Sequence, residues 1–298
     1  MSFKNEFRWS HSRQNNFDKC RRLYYLRHYA MWNGWQSNAT RMQKLCYRLS
    51  KMTNQYMLAG SIVHRSIEWY LKLARMGHLA TLDELHETAT NIVRRAWRQS
   101  VKQQWERNPK GACNLFEHYY GREVDTERMK ATIEDCLNNF HTYALPIVIS
   151  CKDGWKTLEE FQSLDVGDYA IGLAMDLAYE LDGRIHIIDW KTGKPDPATK
   201  QQLMVYALYA AQQWGYAAKD IQTTVYYLRT NGVESVIPAE ESLAERLEQV
   251  DVQVDAMADY LEDRDLDLNE PLHPMEFLRT EDEWKCNGCS YREVCHGR

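Results

Sequence analysis

Two aspartates and a lysine in the second half of the chain have the residue types and the spacing of a metal-dependent hydrolytic site. Asp182-Gly183 is a strong signal for a two-residue hairpin loop, a register that sets Asp176 directly opposite Asp189 with Lys191 on the same face. Opposed carboxylates repel each other, and their oxygens are the ligands that Mg²⁺ and Mn²⁺ prefer. An ion bridging them would polarise a phosphodiester and lower the pKa of an attacking water. Lys191 would orient or deprotonate that water, or stabilise charge developing on the phosphate.

The alternative interpretation of this stretch is structural. A single Asp-x-Lys is most often an aspartate at a strand end beside a solvated lysine. The second, opposed aspartate and the largely apolar run 185–188 favour the metal site. The register holds only if the hairpin loop has no more than two residues.

Further polar side chains are candidates for the same site. Gln202 and Tyr206 are one helical turn apart and share a face. Their amide and phenol could hold the active-site lysine, a nucleobase or a phosphate, or simply form a packed helix face. His64 follows Gly60 by four residues on an early predicted helix, where a single histidine is more often structural. Glu160, at a predicted strand end, is a further candidate for the metal shell.

The C-terminal cysteines have the spacing of a metal site. Cys286, Cys289 and Cys295 follow the pattern C-x2-C-x5-C, and thiolates this close together are characteristic metal ligands. Cys20, whose basic neighbours favour its thiolate, is the candidate fourth ligand, with His296 as a spare. Such a site would tie the two ends of the chain together, and the spacing alone does not separate zinc from a 4Fe–4S cluster. The remaining cysteines are interpreted as ordinary thiols: Cys46, Cys113, Cys136 and Cys151.

The hydrophobic pattern predicts helices in the first half of the chain and strands after it. Asp196-Pro197 has the residue types of a helix cap followed by the first helical position. The predicted helices are 15–30, 41–75, 83–105, 126–145, 197–214 and 240–262. The predicted strands are 157–164, 168–181, 184–190, 221–229 and 233–237, with a second hairpin turn at Asn231-Gly232. This order indicates an α/β (α+β) core with a mixed sheet.

One domain over 1–298 accounts for this organisation. Within it, 1–150 is expected to be mostly helical, 151–240 to form the catalytic α/β core, and 241–298 to carry an acidic helix and the cysteine cluster that closes onto Cys20. No apolar run reaches the roughly 18–20 residues that span a bilayer, and 1–17 is too polar for a secretion signal, so we expect a cytoplasmic protein. There is no Gly-x4-Gly-Lys-Ser/Thr phosphate loop, so these residues encode no helicase motor.

Charge is distributed unevenly along the chain. The net charge is −5, yet residues 1–50 carry +8 and residues 234–283 carry −14. The basic end can approach phosphates, whereas the acidic end repels them. The candidates to track a nucleic-acid backbone and stack on bases are three arginines and three interleaved tyrosines: Arg21, Arg22, Arg27, Tyr24, Tyr25 and Tyr29. The alternative is a helix that packs these rings inward and solvates its arginines.

Together the motifs resemble the iron–sulfur branch of the RecB-like PD-(D/E)XK nucleases, which includes a CRISPR-associated exonuclease and the nuclease domain of the AddB helicase subunit. The ordered set is specific, although each motif alone is weak or moderate. The matching elements are Trp9-Ser10 to Cys20, Gly60-x3-His64, Gly172-x3-Asp176, Ile187-Ile-Asp189-Trp-Lys191-Thr-Gly, Gln202-x3-Tyr206 and the closing cysteine triplet. The long helical insert between His64 and Asp176 and the acidic segment 234–283 have no counterpart among these motifs.

The resemblance implies a mixed-sheet nuclease core in which Lys191 is the catalytic lysine, assisted by Gln202 and Tyr206. It implies Mg²⁺ or Mn²⁺ bound by His64, Asp176, Asp189 and the Trp190 carbonyl. It also implies a 4Fe–4S cluster, rather than zinc, on Cys20, Cys286, Cys289 and Cys295. The expected function is that of a deoxyribonuclease, an exonuclease acting on single-stranded DNA or on DNA ends.

The sequence leaves two alternative functions open, and it does not identify the protein partner. The first alternative is a non-catalytic DNA-binding or scaffold protein that keeps the nuclease fold. The second is a regulator that responds to the redox state of the cluster. The candidate protein partner is a helicase, a recombinase or a CRISPR adaptation protein.

Overall fold

The computed structural model describes residues 4–297. Helices occupy the first half of this range, and strands with their connecting helices occupy most of the second. The α-helices are α1 (His11–Lys19), α2 (Arg21–Tyr25), α3 (Arg41–Ser50), α4 (Gln55–Arg75), α5 (Leu82–Val101), α6 (Phe116–Tyr119), α7 (Thr126–Asn139), α8 (Leu145–Ser150), α9 (Pro197–Trp214), α10 (Glu240–Ala258), α11 (Glu283–Asn287) and α12 (Arg292–His296). The strands are β1 (Met52–Thr53), β2 (Asn114–Leu115), β3 (Trp155–Leu158), β4 (Phe161–Val166), β5 (Tyr169–Ala174), β6 (Leu177–Leu181), β7 (Arg184–Lys191), β8 (Ile221–Tyr227) and β9 (Gly232–Val236).

A five-stranded mixed sheet forms the centre of the second half, in the order β3-β6-β7-β8-β9. Strands β7 and β8 are parallel, and the other neighbours are antiparallel. The parallel pair is joined through α9, as a crossover connection requires. Asp196 caps α9 by accepting a hydrogen bond from the Ala198 N–H at 2.9 Å. The predicted mixed-sheet α/β core and the predicted start and end of α9 are therefore confirmed.

The β6–β7 hairpin has the two-residue loop that the sequence predicts. Leu181 pairs with Arg184, and the loop residues Asp182 and Gly183 have φ values of 52° and 75°. Both lie in the left-handed region, which a two-residue loop of this kind requires. The register is thereby fixed, and the β6–β7 ladder ends where Leu177 meets Ile188.

The predicted strands 157–164 and 168–181 are each divided in two. The first is broken at Glu159, whose φ is 54°. The second is broken at Met175 and Asp176, because the Glu159 N–H donates to the carbonyls of both residues, at 3.1 and 3.2 Å. As a result β4 pairs with β5 in a separate two-stranded sheet, whereas β3 and β6 join the main sheet. The predicted pairing of Asp176 with Asp189 inside one ladder is therefore wrong: Asp176 lies one residue beyond the end of the ladder.

The second hairpin has a longer loop than predicted. Tyr227 pairs with Gly232, so Gly232 belongs to β9 and the loop is 228–231. Leu228 is held outside the β8–β9 ladder by tertiary contacts: its N–H donates to the Lys191 carbonyl at 2.8 Å, and its carbonyl accepts from Asn139 Nδ2 at 2.7 Å. The predicted turn at Asn231-Gly232 is wrong for this reason.

Helix α4 is the central element of the helical half. Its apolar positions face the core that it shares with α5 and α7, and Leu58, Ile62, Ile67 and Leu71 are buried there. The predicted helix 41–75 is interrupted between α3 and α4, where Asn54 caps α4 by accepting from the Met57 N–H. The same core contains Leu177 and Ile188 of the sheet, so it joins α4 to β6 and β7.

The N-terminal segment adds an extended residue to the edge of β5. The Trp9 N–H donates to the Ala170 carbonyl at 2.8 Å, and the Gly172 N–H donates to the Trp9 carbonyl at 2.7 Å. A Cβ at Gly172 would lie 2.8 Å from Arg8 Cδ, so a side chain there would push this segment away. Ser10 then caps α1 by accepting from the Arg13 N–H. The glycine of the Gly172-x3-Asp176 motif thus has a packing role in the fold.

The acidic helix α10 packs against α9 and ends at Ala258, earlier than predicted. Leu243, Val250, Val254 and Met257 are its buried apolar side chains. No helix within the described range is long and apolar enough to cross a membrane.

Replacing Gly183 by alanine should destabilise the hairpin. An L-residue in the left-handed conformation costs about 1–2 kcal/mol, so we expect the free energy of unfolding to fall by that amount. Thermal or urea unfolding measures it. Gly193→Ala is the matched control, since its backbone is not left-handed and an added Cβ meets nothing within 4 Å. Equal stability of the two variants would contradict the assignment of the turn.

Candidate active site

Strand β7 ends with three residues that face alternate sides of the sheet. Asp189 and Lys191 share one face, and Trp190 points to the other, where it is fully buried against Phe140 and Tyr226. The Trp190 N–H donates to Asp176 Oδ2 at 2.6 Å. Asp176 lies outside the β6–β7 ladder, so it is this hydrogen bond that holds its carboxylate beside the end of β7.

A group of potential metal ligands lies at this point. His64 Nδ1, on α4, is 3.2 Å from Asp176 Oδ1 and 3.4 Å from Glu159 Oε1. Among residues 4–297, only His64, Glu159 and Asp176 form a set of at least three His, Cys, Asp or Glu ligand atoms that all lie within 4.8 Å of one another. Glu159 was not a candidate from the sequence: its neighbour Glu160 was, and Glu160 is exposed. The left-handed backbone at Glu159 decides which of the two carboxylates faces the site.

Burial and mutual repulsion shift the pKa values of the carboxylates in this group. Burial, and then the charge of Asp176, raise the pKa of Asp189 to about 6, while Lys191 opposes the shift. Burial disfavours the charged form of His64, but Asp176 and Glu159 outweigh it and hold the His64 pKa well above its usual value. Burial also raises the pKa of Glu159. The site therefore gathers more negative charge than its own cations readily stabilise.

The donor set fits a hard divalent cation. It consists of carboxylate oxygens and one imidazole nitrogen, which suit Mg²⁺ or Mn²⁺. Asp189 Oδ2 is buried and forms an ion pair with Lys191 Nζ at 2.7 Å, and no other donor in the described part of the chain bonds to it. A buried carboxylate oxygen with so few donors can also bind a divalent cation.

Lys191 is held by a directed chain of hydrogen bonds. Its ammonium donates to Gln202 Oε1 at 2.9 Å, Gln202 Nε2 donates to the Tyr206 hydroxyl at 2.6 Å, and that hydroxyl donates to the Ala174 carbonyl at 2.7 Å. Each donor has one acceptor, so the orientation of the Gln202 amide is determined. The sequence left the lysine, a nucleobase and a phosphate as possible partners of Gln202 and Tyr206. In the structure the Gln202 amide contacts the lysine.

The four cysteines of the predicted cluster line one cavity, which lies where the two ends of the chain pack together. Cys20 lies between α1 and α2, and its sulfur accepts from the Thr280 N–H at 3.3 Å. Burial raises the pKa of Cys289 and Cys295. In the described residues no three cysteine sulfurs lie within 4.8 Å of one another. Five candidate ligands line one cavity: Cys20, Cys286, Cys289, Cys295 and His296.

The N-terminal aromatic residues are packed inward. Tyr24 and Tyr29 are buried, and their hydroxyls accept hydrogen bonds from Arg13 at 3.0 and 2.9 Å. They are therefore not available for stacking on bases, which corrects that part of the sequence prediction. Arg21 lies over the Phe17 ring. Contact of DNA with Arg21, Arg22 and Arg27, which are all half-buried, stays a prediction.

The mixed sheet, the parallel β7–α9–β8 unit and the carboxylate–lysine group at its edge are the features expected of a metal-dependent nuclease. The family model of the PD-(D/E)XK nuclease superfamily matches residues 8–296. The chain therefore belongs to the PD-(D/E)XK nuclease superfamily, which implies a metal-dependent nuclease. No curated protein matches the chain at a significant level.

Gln202→Ala should lower the turnover of DNA cleavage because the amide fixes the position of the Lys191 ammonium. Displacement of a catalytic group by about 1 Å costs up to about 100-fold in rate, so we expect kcat to fall by about 10- to 100-fold with little change in KM. Steady-state kinetics with Mn²⁺ measure both constants. Gln201→Ala, at an exposed position on the same helix, is the control. Equal kcat values would show that Lys191 does not depend on Gln202.

Proposed function

We propose that this protein is a metal-dependent deoxyribonuclease that removes nucleotides from single-stranded DNA or from DNA ends. The observation that carries the proposal is the convergence, at one end of β7, of His64, Glu159 and Asp176 with a buried Asp189 and a lysine fixed by Gln202. A binding protein would gain nothing from a lysine oriented against a buried carboxylate. A hydrolase needs both.

The ion would be held by His64, Asp176, Asp189 and the Trp190 carbonyl, with Glu159 as an additional carboxylate. The Lys191 carbonyl points towards β8, where it accepts from the Leu228 N–H. Successive carbonyls along an extended strand point in opposite directions. The Trp190 carbonyl therefore points away from β8, as the Trp190 N–H does when it donates to Asp176. This direction supports the Trp190 carbonyl as a ligand.

The chemistry divides between the ion and the side chains. When bound, the ion polarises the phosphodiester and lowers the pKa of the attacking water. Lys191 Nζ stabilises negative charge as it develops on the phosphate, and it orients the water. The Asp189 carboxylate forms an ion pair with the ammonium at 2.7 Å, and Gln202 with Tyr206 keeps the ammonium in place. These contacts exist in the protein alone, so the site needs little reorganisation when DNA binds.

We also propose a 4Fe–4S cluster on Cys20, Cys286, Cys289 and Cys295. Four sulfurs bound to tetrahedral zinc at about 2.3 Å would lie about 3.8 Å apart. Among the described residues no three of these sulfurs, whose cysteines line one cavity, lie within 4.8 Å of one another, and a wider arrangement suits a larger group. The cluster would join the N-terminal helices to α11 and α12 and so act as a structural staple.

Lys191→Ala should abolish DNA cleavage, because the half-buried lysine stabilises negative charge that develops on the reacting phosphate. Digestion of end-labelled single- and double-stranded DNA with Mn²⁺ or Mg²⁺, using anaerobically purified protein, measures this, and the product ladder gives the polarity. Lys200→Ala, which removes an exposed lysine from α9, should cut as the wild type does. If wild type binds DNA but never cuts it, the alternative of a non-catalytic DNA-binding protein is correct.

Cys20→Ser should lose the cluster and melt at a lower temperature, because the link between the two ends of the chain is broken. Iron and acid-labile sulfide content, measured after anaerobic purification, give the first result, and thermal unfolding gives the second. Cys113→Ser, at a half-buried cysteine outside the cluster cavity, is the control and should keep both. Stoichiometric zinc without iron in the wild type would contradict the 4Fe–4S assignment.

A further inference from the structure

A cavity of about 200 Å³ opens beside the active site, between the start of α4, the start of α7 and the loop that follows β7. It contains groups from four separate parts of the chain. The residues that matter here are Tyr56, Arg128, Thr192, Lys194 and Arg229. The catalytic chemistry described above uses none of them.

The cavity lies next to the active site along α4 and beyond the end of β7. Tyr56, Gly60 and His64 are spaced by four residues, so they lie on one face of α4, and Tyr56 is about 12 Å from His64 along the helix axis. A Cβ at Gly60 would lie 3.2 Å from Thr192 Oγ1. The loop that begins at Thr192 therefore packs on α4 between the cavity and the metal-ligand group. Thr192 directly follows the catalytic Lys191.

Three cations without acidic partners surround the cavity. Arg128, Lys194 and Arg229 are exposed, and within the described range none of them has a carboxylate oxygen within 4.0 Å of its charged nitrogens. Asp125 is the acidic side chain in the lining, and its carboxylate caps α7 by accepting from the Arg128 N–H at 3.0 Å. Three like charges gathered around one cavity favour a bound anion.

The walls that carry these cations are fixed to each other. Asn139 Nδ2, at the end of α7, donates to the Leu228 carbonyl at 2.7 Å and approaches the Arg229 carbonyl at 3.5 Å. The helix of Arg128 and the loop of Arg229 therefore belong to one wall. The backbone segments that carry Arg128 and Arg229 are thus connected before any ligand binds.

Tyr56 supplies an exposed aromatic surface at the same place. Its side chain is 59% exposed, and the Arg128 guanidinium lies 5.4 Å from its ring centroid. An aromatic ring beside backbone-binding cations is the usual arrangement for single-stranded nucleic acid, since every base has a face on which it can stack.

We propose that this cavity binds a nucleotide of single-stranded DNA adjacent to the phosphodiester that is cut: Arg128, Lys194 and Arg229 contact its phosphates, and Tyr56 stacks on its base. The proposal rests on the nuclease function proposed above and adds a substrate subsite to it. It also assigns a role to α7, which lies in the helical insert that the sequence motifs leave unexplained.

The test measures the affinity of the protein for a labelled oligodeoxythymidylate of about 20 nucleotides at several salt concentrations. The protein carries Asp189→Ala so that the oligonucleotide is not cut. Each lost phosphate contact lowers the slope of log affinity against log salt by about 0.7 for a single strand. We expect this decrease for Arg128→Ala and for Arg229→Ala. Tyr56→Ala should weaken binding by about fivefold or more with an unchanged slope, because stacking is not ionic.

Matched controls lie next to the tested residues. Lys130→Ala removes a cation from the same helix as Arg128, one that pairs with Glu134, and Met57→Ala removes the neighbouring side chain, which is 58% exposed. Both should bind as the parent does. If the three test variants match these controls, the subsite is refuted.

A parallel Mn²⁺ digestion of the same oligonucleotide by the protein without Asp189→Ala separates the two proposals. Cutting together with unaltered binding by the variants overturns the subsite and leaves the nuclease. Altered binding without any cutting supports the DNA-binding cavity and overturns the nuclease.

Discussion

The burial of two carboxylates beside each other at the end of β7 is the constraint on which the rest of the structure depends. Asp176 and Asp189 are 7% and 2% exposed, and an uncompensated charge in such a place would cost several kcal/mol. Compensation comes from distant parts of the chain: His64 from α4, and the Trp190 N–H and Lys191 from β7. The helical half of the protein is therefore a part of the site, because without α4 the carboxylates would lose their imidazole partner.

The breaks in the strands serve the same site. A continuous strand through 168–181 would pair Asp176 in a ladder and leave its backbone no freedom to receive Glu159. The left-handed conformation at Glu159 turns the chain so that its N–H bonds to the carbonyls of Met175 and Asp176 while its carboxylate approaches His64. One irregular residue thus interrupts two predicted strands and supplies a candidate metal ligand, and its backbone strain is of the kind that is found at functional sites.

The sequence predicts the parts of this site whose conformation is determined by neighbouring residues. It does not predict the parts whose conformation is determined by contacts with distant elements. Asp182-Gly183 specifies its turn regardless of the surroundings, so the register of β6 and β7 and the shared face of Asp189 and Lys191 could be predicted. Asn231-Gly232 carries the same local signal, but Lys191 and Asn139 draw Leu228 out of the ladder. No local pattern distinguishes Glu159 from Glu160. Likewise, the rings of Tyr24 and Tyr29 pack against Phe277, which comes from the far end of the chain.

Two contacts beside Lys191 connect the candidate active site with the cavity that is proposed to hold the substrate. The Lys191 carbonyl accepts from the Leu228 N–H, and the next residue is Arg229. On the other side of Lys191, Thr192 follows directly and packs against Gly60, one helical turn before His64. Lys191, the proposed catalytic lysine, is therefore connected through neighbouring residues to two sides of the cavity. One tie is a backbone hydrogen bond within the sheet, and the other is a contact of the Thr192 side chain with α4. A DNA strand bound by Arg128 and Arg229 would therefore be positioned by regular elements, and a small displacement in either of them would be transmitted to Lys191.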